Sequence, residues 1–386
     1  MPRGERHLLL VLLAAFAVLD AAVLWSFAAS LRVMYPDFFG TWSFAKFIAS
    51  HPPAGLYVTE TLVGFQRELA PGFPTFFPYA YPPSYLLLIT PLGWMPFALA
   101  AVCWIGLTFA AFLAVVLRLL DLRGGTAVWA AAVLLLMPTT MLGVVYGQSG
   151  FLTGALLIGG MLWVPTRPFL AGLVLGLLTV KPQLGVLVPV ALLAAGAWRA
   201  IGGAIAGAAA LVLISMAVHG GGIWLDWIDS LGSHAAAVAA MGDRFHAIMA
   251  TPLAGFLLVG APRPLAMALH VLCALFAIAL VWKGFRRGVT PLATAALLVG
   301  TFLVTPYGFT YDTPMVTAAV FLLCVTRYRA GARPLPGELA ILVFALAAPS
   351  FVLADAHVPM VPASLLLLCW LISRRMRVSA LPGATS

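Results

Sequence analysis

Asp37 stands just beyond the first apolar stretch of the chain, in Tyr35-Pro36-Asp37-Phe38-Phe39, with Trp42 close behind. Shielding by Phe38, Phe39 and Trp42 would raise the pKa of this carboxylate toward the range of a general base that takes a proton from a hydroxyl. The same position suits a helix N-cap or a solvated loop acid, since Asp is a favoured cap. Lys181, in Thr179-Val180-Lys181-Pro182-Gln183, is the second candidate. A lysine between short apolar segments is costly unless it is paired or snorkels to the headgroups. Turned inward, it offers a fixed cation to a leaving phosphate whose negative charge grows in the transition state. Arg244 and His246, in Asp243-Arg244-Phe245-His246, could serve the same phosphate or be ordinary solvated loop residues.

Gln148 sits in Tyr146-Gly147-Gln148-Ser149, where an amide could hold hydroxyls or make a helix-turn hydrogen bond. Tyr307, Tyr311 and Asp312 fall within Thr305-Pro306-Tyr307-Gly308-Phe309-Thr310-Tyr311-Asp312. Rings beside a carboxylate suit a hydroxyl-bearing ring, and they also suit an aromatic belt at the lipid–water interface. Asp20 lies inside the first apolar stretch. It reads as a hydrogen-bonding group within a helix bundle rather than a catalyst.

The elements that must position these residues are membrane helices. The chain is 63% hydrophobic and only 9% charged, against roughly 25% charged in soluble domains. Apolar runs predict an all-α polytopic membrane protein with about twelve spans. These are residues 8–30, 84–117, 126–143, 147–164, 168–180, 183–197, 200–219, 264–283, 290–305, 311–327, 337–354 and 358–373. The first reads as an uncleaved signal anchor, too long for a usual signal-peptide core. The second is interrupted by Pro91 and Pro96 and can begin as a separate half-helix. Segments 168–180 and 183–197 are short, because thirteen helical residues reach only about 20 Å. They should meet below the membrane surface, with Lys181 at the junction. Gly172/Gly176 and Gly203/Gly207 are small-residue pairs that permit close helix approach.

Of the 21 Lys and Arg residues, only Arg32, Lys46, Arg67, Lys181, Arg244 and Arg263 fall on the side away from the termini. The positive-inside rule then puts the termini in the cytoplasm. Residues 1–386 read as one domain, with outer loops 31–83 and 220–263. The net charge of +9 reflects this topology rather than a nucleic-acid partner. Trp224, Trp227, Ile228 and Leu231 repeat at i, i+3, i+4 and i+7, predicting an interfacial amphipathic helix. Residues 41–50 and 59–69 suit similar short helices.

Walker A, dinucleotide-glycine, His-Glu-x-x-His and Asp-x-Asp patterns are all missing. Cys103, Cys273, Cys324 and Cys369 have neither metal-ligand nor disulfide spacing. No metal or cofactor is expected.

The ordered motifs resemble glycosyltransferase family 87, the polyprenol-phosphate-mannose-dependent mannosyltransferases of the GT-C superfamily. The resemblance rests on Asp37-Phe38, Gly55-Leu56-Tyr57, Tyr81-Pro82-Pro83 and Pro91-Leu92-Gly93-Trp94-Met95-Pro96. Gly147-Gln148-Ser149, Ala171-Gly172 and Lys181-Pro182-Gln183 follow in the family's order. The later helices match less well. Ala250-Thr251-Pro252 replaces an Asn-x-Ser-like element, and Thr305–Asp312 replaces S-P-x-S-W-x-H.

The resemblance implies a GT-C-like fold and a plasma (inner) membrane hexosyltransferase acting on the outer face. Its donor would be a polyprenyl-phosphate sugar, and its acceptor a glycolipid or envelope glycan. Asp37 maps onto the family's base and Lys181 onto its lysine-proline turn, assigned to donor phosphate with Arg244 and His246. Tyr81, Gln148, Tyr307, Tyr311 and Asp312 are the expected sugar and acceptor contacts. A transporter or flippase of lipid or lipid-linked sugar, or a structural partner in envelope assembly, are the competing classes. The chain shows no internal repeat typical of transporters.

Overall fold

The computed structural model describes residues 11, 13–22, 25, 36–73, 76–240, 242–353 and 357–378. Among them the chain is helical, with one isolated antiparallel bridge, Met249–Phe309. Each predicted apolar segment contains a helix. Of the first segment, Val11, Leu13–Ala22 and Trp25 are described, and the rest of the expected anchor lies outside the described residues.

Among the described residues, three helices are each long and apolar enough to cross a membrane: Phe97–Leu119, Trp198–His219 and Arg263–Phe285. Gly124–Leu135 and Pro138–Tyr146 together make a fourth, bent by 62° at the break between them. Segment 126–143 is thus not one straight span. Pro138 cannot continue the preceding ladder, and the Thr140 hydroxyl donates to the freed Leu134 carbonyl at 2.6 Å. Segment 183–197 is likewise broken, into a turn at Pro182–Leu184 and a short helix, Val188–Ala194. Segment 337–354 divides into Glu338–Ala347 and Pro349–Leu353.

The main core forms around Pro291–Val304, which is buried on every side from Ala293 to Leu303. A helix apolar all round belongs inside a bundle. Arg263–Phe285, Pro314–Arg329 and Met360–Val378 pack against it. Leu107, Val128, Ile205 and Leu272 remain exposed on the outer helices, as lipid-facing positions would be.

Pro168–Gly176 lies against Trp198–His219 in a seam of glycines. A Cβ on Gly172 would come within 2.0 Å of the Ala200 carbonyl oxygen, and one on Gly203 within 2.1 Å of the Phe169 carbonyl oxygen. Only glycine permits this approach. The seam ends in a 3₁₀ turn, Leu177–Val180, that delivers Lys181.

The segment after residue 35 folds into a second core. Helix Pro36–Ile48 buries Phe38, Phe44 and Phe47 among Leu62, Tyr79, Tyr85 and Ile89. The buried Gln66 amide donates to Ser43 Oγ and to the Phe77 carbonyl, both at 3.0 Å, and accepts the Phe77 N–H at 2.9 Å. Trp42 donates to the Met95 carbonyl at 3.0 Å. The predicted short helices are present as Pro36–Ile48 and Thr59–Leu69, and the amphipathic one as Ile223–Ala240.

Candidate active site

Asp37 is in the first turn of Pro36–Ile48, part-buried, with an edge toward a cavity of about 510 Å³. Lys181, Gln148, Tyr81, Tyr307 and Tyr311 also line this cavity. Five chain segments far apart in sequence therefore converge on one space.

Asp37 accepts a hydrogen bond from the Gln148 amide at 3.0 Å, and Gln148 accepts one from the Tyr81 hydroxyl at 3.0 Å. The amide orientation follows from this relay, oxygen toward the phenol and nitrogen toward the carboxylate. Among the described residues Asp37 makes no capping bond to its own helix, so its carboxylate serves the cavity. Burial pushes its pKa up to about 6. Gln148 and Lys181 pull the other way, and Asp312 adds to the rise. The phenol of Tyr81 is raised well above its ordinary range by burial, so it stays a protonated donor.

Lys181 is almost fully buried, at 3% exposure, and does not snorkel. Its Nζ donates to Asp312 Oδ1 at 2.6 Å and approaches Ser149 Oγ at 3.5 Å, with the Tyr311 ring centroid 5.4 Å away. Asp312 is completely buried and is not among the residues lining the cavity. Its second oxygen accepts the Phe309 N–H at 3.4 Å. Asp312 therefore reaches the site through Lys181, a different placement from the direct sugar or acceptor contact expected from sequence.

Thr310 and Ala250 bond back to Ile248 and Gly308, at 2.9 Å each, and so join the two outer segments. This join carries Tyr307, Phe309, Ile248 and Phe245 to the cavity wall. His246, by contrast, is not a lining residue. It lies 3.9 Å from Asp243 on Gly242–Ala247. Arg244 is on the same helix, with its side chain outside the described residues.

Sequence reading did not single out His234, Gln183 or Thr41, and Trp227 only as an interfacial residue, yet all four line the cavity. Trp227 also donates to the Ala80 carbonyl at 3.3 Å, bringing Ile223–Ala240 over the site. Burial lowers the His234 pKa, favouring the neutral ring. His234 continues the Trp227 and Leu231 face of the predicted amphipathic helix, and that spacing was the available signal. Asp20 is buried elsewhere, its Oδ1 without a hydrogen-bond partner among the described residues. No group of three or more His, Cys, Asp or Glu that could hold a metal occurs among the described residues.

The arrangement can accept a proton at Asp37 and neutralise a phosphate at Lys181 within one partly water-excluded space. No curated protein and no solved structure matches the chain. The sequence model of glycosyltransferase family 87 matches residues 79–306, more than half of the 386 residues and the stretch holding Tyr81, Gln148 and Lys181. The chain therefore belongs to glycosyltransferase family 87 and is a glycosyltransferase with membrane-type helices.

Proposed function

We propose that the protein transfers a hexosyl group, specifically mannosyl, from a polyprenyl-phosphate sugar to a glycolipid or envelope-glycan acceptor. In this reading Asp37 accepts the acceptor hydroxyl proton as the oxygen attacks the anomeric carbon. The anomeric carbon–phosphate oxygen bond breaks with inversion, and the electron pair leaves on polyprenyl phosphate beside Lys181. Tyr81 and Gln148 hold the base, while Tyr307 and Tyr311 offer rings and hydroxyls to the sugar. Asp37 and Lys181 lining the same cavity is the observation that carries the proposal. A transporter would need no base of raised pKa, and family membership favours transfer over translocation.

Purified protein incubated with labelled polyprenyl-phosphate sugars and envelope lipids should move label from the mannosyl donor to lipid. Translocation without transfer for every donor would overturn the proposal. The apparent kcat/KM should fall about tenfold per pH unit below about 6, because a protonated Asp37 cannot accept the hydroxyl proton. It should level off above about pH 7. A profile flat from pH 5 to 8 counts against Asp37 as the base.

We further propose about twelve membrane helices in a single GT-C-like domain of the plasma membrane, with residues 31–83 and 220–263 outside and the termini in the cytoplasm. Thr61 is exposed on Thr59–Leu69. A Thr61→Cys variant in intact cells should react with a membrane-impermeant thiol reagent. Labelling only after the membrane is broken would invert the topology and move the site to the inner face.

A further inference from the structure

A second cavity, of about 420 Å³, lies at the other end of the bundle. Helices Pro291–Val304 and Pro314–Arg329 run between the two. The turn joining them carries Tyr307 and Tyr311 to the first cavity, while Thr290–Leu292 and Thr326–Ala330 bring their far ends to the second. A helix of this length separates them by about 21 Å. Nothing in the transfer reaction uses this space.

Four cations line it: Lys283, Arg287, Arg327 and Arg375. Among the described residues the one acidic lining residue is Glu338, almost fully buried. Glu338 is already committed, paired closely with Arg375 and at 3.8 Å with Arg327, and accepting the Leu335 N–H at 2.8 Å. It fixes two basic arms from two helices. Lys283 and Arg287 are exposed and have no acidic partner among the described residues. The N-terminus of Pro291–Val304 opens into the same cavity, with Thr290 accepting the Ala293 N–H at 3.2 Å. The positive end of that helix adds to the field.

Basic residues in the last turns of helices ordinarily complement the helix dipole or face the cytoplasm. Neither role calls for their convergence on a cavity or for a buried acid that orients two of them. A preorganised cluster of forks and an ammonium is chemistry for a phosphate group. The approach to it is apolar. Leu272, Leu275 and Trp282 form an exposed stripe along Arg263–Phe285 that ends beside Lys283. Free phosphate has no use for such a stripe, whereas acyl chains do.

We propose that this cavity binds the phosphate headgroup of an anionic phospholipid, with its chains along the Leu272, Leu275 and Trp282 stripe. Basic pockets between membrane helices recognise such headgroups by charge. The site is independent of the transfer reading, and its test reads binding rather than activity.

The full-length protein is placed in nanodiscs of phosphatidylcholine with or without phosphatidylglycerol, then examined by native mass spectrometry. Phosphatidylglycerol should be retained selectively. The Lys283→Gln/Arg287→Gln double variant should lose that retention by about tenfold or more. Both residues are exposed, so the variant should keep its wild-type unfolding temperature in phosphatidylcholine alone, which checks the fold. A single Arg287→Glu variant should weaken retention in the same direction. Equal retention of the two lipids, or unchanged retention in the double variant, overturns the proposal. Stabilisation by millimolar inorganic phosphate with no added effect of phosphatidylglycerol assigns the cavity to free phosphate and overturns the lipid.

Discussion

Asp37→Asn should lower turnover by about two to four orders of magnitude while the folded protein still binds donor. Asn preserves the side-chain size and an oxygen that can accept from Gln148, now 3.0 Å from Asp37. A capping or packing role would survive the change, but proton acceptance would not. Stability should move the other way. The folded-state pKa of Asp37 is raised to about 6. Its stabilising contribution is therefore present at low pH, below the ordinary carboxylate value, and is lost as pH rises through about 6. At pH 7 the charged carboxylate costs folding energy, so Asp37→Asn should raise the Tm by a few degrees. Slower turnover with a higher Tm marks a group kept ionised for chemistry. Near-normal transfer by the folded variant would remove Asp37 from the mechanism.

Lys181→Ala should fail more broadly, because it removes the proposed donor contact and also strands Asp312. The two are joined at 2.6 Å, and Asp312 has no exposure to solvent. Breaking a buried ion pair from one side typically costs about 3–5 kcal/mol. A loss of activity in Lys181→Ala alone would therefore say little. The double variant Lys181→Met/Asp312→Asn removes both charges and should recover most of the lost stability, since neutral replacement of a buried pair is often tolerated. It should still show donor use weakened by about tenfold or more, measured as kcat/KM at limiting donor, because the leaving phosphate has lost its charge-assisted partner. Wild-type donor kinetics in that folded variant would reduce the pair to a structural clasp.

Asp37 and Lys181 are legible in the sequence because charges are scarce in a chain with 9% charged residues, and each sits where an apolar run breaks. Their convergence with Tyr81 and Gln148 is only partly legible, through the order of the family motifs. The Lys181–Asp312 clasp is hidden, since 131 residues separate its ends and each charge has a plausible use alone. Glu338 is hidden for the same reason: its partner Arg375 is 37 residues away and looks like any basic residue after a span. Helix positions follow from hydropathy, as at Arg263–Phe285, but the number of crossings does not. Pro168–Val180 and Pro182–Ala194 are apolar yet too short to decide by length. Hydropathy averages over a bend such as the one before Pro138, so local backbone chemistry has to reveal it.

The glycine seam beneath Lys181 bears on how this protein can change over generations. Lys181 is set in place by backbone resting on backbone at Gly172, Gly176, Gly203 and Gly207, with no side chain between to be trimmed. A conventional core drifts by exchanging one bulk for another of similar volume. This contact has no bulk to exchange, and every substitution adds at least a carbon where an oxygen or nitrogen already lies within 2.7 Å. A side chain added anywhere in the seam would shift the lysine, whereas exchanging one ring for another on the cavity wall opposite would leave its height alone.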